Sequence, residues 1–335
     1  MLHKLLFLLP PEAAHSLAIT ALKNLPYGKP KALPESLSVD FFGKRLRSPI
    51  GLAAGFDKNA EVIKPMLSLG FGFVEVGTVT PKPQYGNKKP RIFRLTKDQA
   101  IINRLGFNSK GIDYFLKQID KVNCAFGINI GRNSTSKDQI SDYIELIKKV
   151  HSKSSYIALN ISSPNTPNLR NLHDKQQLSE LLQTIRSSIQ TTTPIVLKIS
   201  PDIDQHTREN IAELALEYKV NGLIVSNTTV CRDNLHSHQN EAGGLSGRPL
   251  FKLSTELLKD MYKLTGGKIL LIGCGGITSG ADAYEKIKAG ASLVQLYTAL
   301  IYNGPKIVNK INLELAGLVR KDGFNNVSEA IGCVY

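Results

Sequence analysis

The strongest constraint on this fold is a pattern that repeats without any repeat of sequence. Eight short apolar runs, rich in Ile, Val and Leu, occur at Pro49–Ala54, Phe71–Gly77, Ala125–Ile130, Tyr156–Ile161, Pro194–Ile199, Gly222–Ser226, Lys268–Gly273 and Ser292–Tyr297. They are nearly continuous in apolar character, as strands buried on both faces are. Between most of them lie stretches with helical spacing, such as Tyr143, Leu146, Ile147 and Val150, then Leu178, Leu181, Leu182 and Ile185, then Ile211, Leu214 and Ala215. Eight strand–helix units over about 250 residues predict a (β/α)8 barrel, the TIM barrel. A doubly wound open sheet has the same alternation, but eight regular units favour closure.

Composition narrows the class. The chain has 335 residues, 42% of them hydrophobic and 21% charged, which excludes disordered and coiled-coil classes. Cys124, Cys231, Cys274 and Cys333 are too far apart in sequence to form a CxxC or zinc pair and read as free thiols; no metal site is expected. No apolar run reaches the roughly 18 residues of a spanning helix. Leu5–Leu9 stops at Pro10 and Pro11 and is too short for a secretory signal. Lys and Arg exceed Asp and Glu by 42 to 28, giving +14. That surplus points to an anionic partner: nucleic acid, an acidic membrane surface or a phosphorylated ligand.

The runs end in GFDKN, GTVTP, NIGRN, NISSPN, KISPD, SNTT, GCGGI and YTAL. In a barrel all these ends lie on one face, where such folds keep their chemistry. Turns need Gly, Pro and Asp. They do not need Lys58, Lys198, Asn129, Asn160 and Asn227 gathered at the same end. GGLSGRP at 243–249 and GCGGI at 273–277 are candidate phosphate cradles; the second precedes a helix starting near Ser279. Lys198 ends an otherwise apolar strand, where a lysine calls for an anionic partner. The loop NISSPNTP at 160–167 crowds Ser162, Ser163, Asn165 and Thr166 between prolines, with no His nearer than His151 and His173. From its residues alone this loop reads as a turn. Two segments fall outside the repeat. Residues 38–48 form a hairpin around Gly43, expected to plug the barrel bottom. Residues 91–107 carry two short β-like runs, expected to overhang the active face.

Taken together, GLAAGFDKN, GFGFVEVGTVTPKPQYGNKKPRIFRL, INRLGFN, NISSPNTPNLR, SNTT, GGLSGRPL, GCGGI and AGASLVQLYTALIYNGP span about residues 8–304. In these motifs the chain resembles the dihydroorotate dehydrogenases, flavin enzymes of pyrimidine synthesis, and within them the membrane-associated, quinone-reducing class. The resemblance implies FMN across the barrel mouth, contacted by Ala54, Gly55, Phe56, Asp57, Lys58, Thr78, Asn129, Asn160, Lys198, Ser226, Gly247, Gly276, Tyr297 and Thr298. It implies dihydroorotate held by Lys58, Asn103, Arg104, Leu105, Gly106, Phe107, Asn160, Asn165, Asn227 and Thr228. Ser163 corresponds to the catalytic base, taking a proton from C5 while C6 gives hydride to flavin N5, with Thr166 and a water as relay. Asparagine amides suit a substrate that is a ring of amides, and Lys58 suits its carboxylate.

At the N-terminus, Ala14, Leu17, Ala18, Ala21, Leu22 and Leu25 share one face of a helix starting near Pro11, after a short apolar helix at Leu5, Leu6, Leu8 and Leu9. On residues alone this is a helix packed on the barrel. The resemblance, carried here by Pro11, Glu12, Ala14 and His15, implies instead a membrane-facing, quinone-tunnel extension of residues 1–30, with His15 and Arg94 in the tunnel and residues 31–335 as the catalytic barrel. It implies a monomer resting peripherally on the cytoplasmic face of the inner or cell membrane. The competing readings are a soluble-class dihydroorotate dehydrogenase, which carries Cys where Ser163 stands, a flavin-dependent tRNA dihydrouridine synthase, and a basic nucleic-acid-binding protein. No nucleic-acid motif supports the last, and no nucleic-acid partner is expected. The tail from Lys306 is expected to be a last barrel helix followed by an exposed segment.

Overall fold

The computed structural model describes residues 5–120, 122–233, 235–237 and 240–334. Ahead of the repeat, helix α1 (Pro11–Asn24) begins with Pro at its first position, where the missing N–H costs nothing. Strands β1 (Val39–Phe41) and β2 (Lys44–Leu46) then pair antiparallel around Phe42 and Gly43. This is the expected hairpin, and it plugs the barrel. The Phe41 ring lies 6.0 Å from that of Phe73 and 5.3 Å from that of Tyr156. Gly51 and Gly127 make room for these rings: a Cβ on Gly51 would sit 2.3 Å from Phe73, and one on Gly127 2.1 Å from Tyr156.

All eight apolar runs become strands. They are β3 (Ile50–Leu52), β4 (Phe73–Val79), then, after an excursion through β5 (Ile92–Leu95) and β6 (Ala100–Asn103), β7 (Phe126–Ile130), β8 (Tyr156–Asn160), β9 (Ile195–Ile199) and β10 (Gly222–Val225). Following β11 (Gly244–Gly247) come β12 (Leu270–Cys274) and β13 (Leu293–Leu296). The eight form a closed parallel barrel in chain order, β13 pairing back onto β3. The doubly wound alternative is excluded by that closure. Helices α2 (Ile63–Ser68), α3 (Ile112–Ile119), α4 (Gln139–Val150), α5 (Lys175–Ser188), α6 (Gln205–Glu217), α7 (Phe251–Thr265) and α8 (Gly280–Lys288) cover it. The stripes expected on α4, α5 and α6 are buried. Side-chain caps start these helices: Asp138, Asp174, Asp204 and Ser279 each accept from N–H groups of the first turn.

Outside the barrel, β5, β6 and β11 make a three-stranded antiparallel sheet in the order β11–β6–β5. The first two are the expected runs. The third lies in the segment read as a candidate phosphate cradle and not as a strand; Gly-Leu-Ser-Gly becomes one because β6 offers it an edge.

At the N-terminus the expected short apolar helix is present among the described residues: Leu5 is helical and Leu6–Leu8 form a 3-10 turn, followed by Pro10 and Pro11. Its carbonyls are taken by Arg94, which donates to Leu6, Phe7 and Leu9 O at 3.3, 3.2 and 2.9 Å. On α1, Ala14 is buried, but Leu17 points outward and is half exposed. The tail also departs from expectation. Helices α9 (Thr298–Asn303) and α10 (Lys306–Lys321) close the ring, and the segment beyond folds back. Val327 and Ala330 are buried, Asn326 Nδ2 donates to Ser38 O at 3.0 Å, and Tyr284 donates to Asp322 at 2.8 Å. Gly323, Asn325, Ser328, Glu329, Cys333 and Val334 are exposed, so the folded-back segment is covered only in part. No helix among the described residues is long and apolar enough to cross a membrane.

Candidate active site

One cavity of about 580 Å³ opens at the C-terminal ends of the barrel strands and runs on beneath α1. Its inner part is polar. Its outer part is lined by Leu6, Phe7, Ala14, Ala18, Ala21, Leu22 and Leu25, with His15 and Arg94 as the polar groups on the way in.

On one side of the inner part the backbone itself forms the wall. Gly275 and Gly276, directly after β12, have φ of +115° and +76°. A Cβ on Gly276 would lie 2.5 Å from Phe251 Cα, and one on Gly247 2.4 Å from Gln99 O. Only glycine allows so close an approach, and a glycine turn beside the start of α7 is a seat for an anion. Thr298 Oγ1 bonds Ser246 Oγ at 2.9 Å on the same wall.

The barrel floor carries a hydrogen-bonded chain of side chains. Glu75, fully buried, accepts from Tyr156 OH at 2.8 Å, Gln295 Nε2 at 2.8 Å and Asn129 Nδ2 at 2.9 Å. That fixes Asn129 with its oxygen upward, where it accepts from Thr78 Oγ1 at 2.5 Å and Asn160 Nδ2 at 3.3 Å. Asn160 Oδ1 then accepts from Asn227 Nδ2 at 3.1 Å, and Asn227 Oδ1 from Thr228 N at 2.8 Å. An acceptor-only group at the foot thus orients each amide above it.

Two lysines enter this polar volume. Lys198 is buried and its ammonium has no salt bridge or hydrogen bond among the described residues. Lys58 donates to Gly55 O at 2.8 Å. Burial pushes its pKa down to about 8, Arg91 in the same direction, against the pull of Glu12 and Asp57. Beside it a ladder of rings leads outward: Tyr297 to Phe56 at 5.7 Å and Phe56 to His15 at 5.2 Å, both edge-on. Burial, and secondarily Lys58, lowers His15 to about 3, so its imidazole is neutral.

The loop after β8 is held from below. Arg170 bonds Ser162 O and Thr228 O, both at 3.3 Å, and pairs with Asp202 at 3.0 Å. His173 accepts from Ser200 N through Nε2 at 3.3 Å, so Nδ1 carries the proton and donates to Arg170 O at 3.1 Å. Burial drops its pKa to about 4, and it serves the scaffold rather than acting as a base. Ser163 lines the cavity, its Oγ accepting from Asn165 N at 3.3 Å. The buried Thr166 Oγ1 has no hydrogen-bond partner among the described residues.

The structure brings most of the residues singled out in the sequence to this one cavity. Ala54, Gly55, Phe56, Lys58, Thr78, Asn160, Lys198, Ser226, Gly247, Gly276, Tyr297 and Thr298 line it, as do Asn103, Leu105, Gly106, Phe107, Asn165, Asn227, Thr228, Ser163, His15 and Arg94. Three do not line it. Asp57 turns away to accept from Glu61 N and Val62 N at 2.8 Å each, and burial raises its pKa to about 6. Asn129 lies beneath the floor. Arg104 turns outward to Glu241 at 2.5 Å. Asp57 and Asn129 shape the site from behind its lining. Three residues escaped the sequence reading. Glu75, a carboxylate within an apolar strand, carried the same signal as Lys198. Asn108, next to the INRLGF segment, lines the cavity with a buried, unpartnered Oδ1. Arg91 ties α1 to the overhanging sheet through Glu12 at 2.8 Å; burial raises the Glu12 carboxyl, but Arg91 and Lys89 outweigh it and hold it low.

Residues 36–319 match the family described as dihydroorotate dehydrogenase. The chain is 49% identical to the dihydroorotate dehydrogenase (quinone) of Parvibaculum lavamentivorans, over 98% of this chain and 96% of that protein. It is 44% identical to the mitochondrial dihydroorotate dehydrogenase (quinone) of Oryza sativa subsp. japonica, over 99% of this chain and 79% of that one. Among solved structures it resembles the dihydroorotate dehydrogenase of Eimeria tenella in complex with ferulenol, with a TM-score of 0.92 and 40% identity over 97% of this chain and 95% of that one.

Proposed function

From the premise that the chain belongs to the dihydroorotate dehydrogenase family, in its quinone class, we propose how this site performs the family's reaction. The protein oxidises dihydroorotate with a quinone as electron acceptor. The observation that carries the detailed reading is the continuity of the cavity, which joins a polar chamber containing Ser163 to an apolar channel under α1.

FMN fits the chamber. The Gly247 and Gly275–Gly276 backbone offers its phosphate a seat, and Lys198 supplies a buried positive charge that no protein anion answers. When bound, FMN would supply a two-electron acceptor for the hydride of dihydroorotate and a donor to the quinone. Lys198 stabilises the negative charge that reduction places on the pyrimidine edge. Lys58 neutralises the carboxylate of dihydroorotate, and the oriented amides of Asn160, Asn165 and Asn227 read the edges of its ring. Asn108, with its free buried oxygen, joins this set. Ser163 Oγ takes the proton from C5 as hydride leaves C6. A hydroxyl can do so only if its own proton moves on, and the unpartnered Thr166 Oγ1 supports a relay through an ordered water.

The channel receives the quinone, whose apolar tail suits Ala18, Ala21, Leu22 and Leu25, with neutral His15 and Arg94 at its inner part. Leu5, Leu8, Leu17 and Leu25 are exposed around α1, an apolar surface that rests on one leaflet. The positive surplus favours the anionic cytoplasmic side of the cell membrane. Residues 1–30 are thus the quinone-side extension of a barrel formed by the rest.

The test is direct. The purified protein is expected to be yellow, to bleach on anaerobic addition of dihydroorotate and to recover its colour with a soluble quinone. Bleaching by reduced nicotinamide instead, or recovery only with fumarate, would overturn the reading.

A further inference from the structure

The turn after β12 stands on a buried cation. Lys286, on the inward face of α8, is fully buried. Its stem passes over Gly273, where a Cβ would lie 3.1 Å from Lys286 Cδ. Its ammonium donates to Ser254 Oγ at 2.8 Å and Thr255 Oγ1 at 3.0 Å, and lies 5.0 Å from the centre of the Phe251 ring. Ser254 Oγ is in turn 3.2 Å from Gly275 O and 3.1 Å from Phe251 O. Thr255 Oγ1 donates to Phe251 O at 2.7 Å. One hydroxyl therefore links the ammonium to the Gly275–Gly276 turn, and both link it to the first turn of α7.

Among the described residues no carboxylate pairs with this charge. The Lys286 ammonium meets two neutral hydroxyls and a ring. Asp282 and Glu285, on its own helix, act only at longer range, and burial keeps the Cys274 thiol protonated. The ammonium also lies beside the N-terminal turn of α7, the positive end of that helix dipole. A buried cation next to a positive helix end is unfavourable until an anion arrives. Burial accordingly brings Lys286 down to about 7. Both positive sources converge on the glycine turn that walls the cavity.

We propose that Lys286 is a positioning residue for the phosphate of FMN, fixing the Gly275 peptide through Ser254 and balancing from beneath the turn a dianion that it does not touch. This rests on the FMN reading above. Discrimination between a phosphorylated and an unphosphorylated flavin then comes from a side chain outside the cavity as well as from the N–H groups lining it.

The experiment is a titration of the full-length protein, freed of flavin, with FMN and with riboflavin, followed by flavin fluorescence. Lys286→Met is expected to weaken FMN by about tenfold or more while leaving riboflavin within about twofold. Equal losses for both flavins, or no loss for either, would overturn the proposal. A wild-type protein that binds neither flavin overturns the FMN reading itself, a result distinct from both. Should Lys286→Met fail to fold, Ser254→Ala keeps the ammonium and removes its link to Gly275. It is expected to reduce the preference for FMN over riboflavin by about threefold; an unchanged preference overturns the proposal.

Discussion

The ammonium of Lys58 lies 2.8 Å from the carbonyl oxygen of Gly55 and has no salt bridge among the described residues. A carbonyl satisfies one of its three N–H groups and none of its charge. With its pKa pushed down to about 8, it is charged below that pH and loses its charge as pH rises through it. If it neutralises the substrate carboxylate, kcat/KM for dihydroorotate falls on the alkaline side with an apparent pKa near 8, because that parameter reports the free enzyme. Lys58→Arg, which stays charged, moves that limb to higher pH. A flat profile up to pH 10 in the wild type would remove Lys58 from the substrate.

Removing the proposed base leaves the cavity intact, since among the described residues Ser163 Oγ makes one hydrogen bond, from Asn165 N at 3.3 Å. Ser163→Ala is expected to slow flavin reduction by dihydroorotate by about 10²-fold or more, the usual weight of a positioned base. Rapid-mixing absorbance reads this directly, and near-normal reduction would reassign the base. Thr166→Val, which deletes a hydroxyl that has no protein partner, should slow the same step without destabilising the fold.

Filling the channel separates the two halves of the reaction. Ala18→Phe places a ring in the space beneath α1 and should raise KM for quinone while dihydroorotate still bleaches the flavin at its usual rate. Removing residues 1–30 should abolish quinone reduction and spare the same half-reaction. Quinone turnover that survives the truncation would place the acceptor site elsewhere.

The floor of the site makes a stability prediction. Glu75→Leu leaves the hydroxyl of Tyr156 and the amides of Gln295 and Asn129 buried without their acceptor. It is expected to cost about 3 kcal/mol or more, read as a lower urea midpoint. A variant within about 1 kcal/mol of wild type would mean that these donors find water instead.

Much of this was legible in the chain. The barrel strands could be read because burial on both faces writes itself as continuous apolar sequence. Lys198 was legible for the opposite reason, a charge where the pattern demands none. β11 was not, because Gly244-Leu-Ser-Gly247 has little strand character of its own and takes its conformation from β6. Lys286 carries no mark like that of Lys198 within AYEKIKAG; only the packing of α8 against α7 shows it to be buried. Leu17 shows the converse, an apolar residue on the expected stripe that is half exposed. Asp57 and Asn129 fall at the expected end of the barrel, yet sequence has no means of telling a side chain that lines the cavity from one that bonds the groups behind it.

The roof over the site joins pieces of chain that are made far apart in time. Asn103, at the end of β6, meets Gly244, at the start of β11, across 141 positions. As the ribosome extends the chain, β5 and β6 emerge as a bare hairpin with an open edge, and that edge stays uncovered until the β11 segment is released. The chamber is accordingly among the last parts of the molecule to close, and the seat proposed for FMN is incomplete until β11 and the turn after β12 have been synthesised.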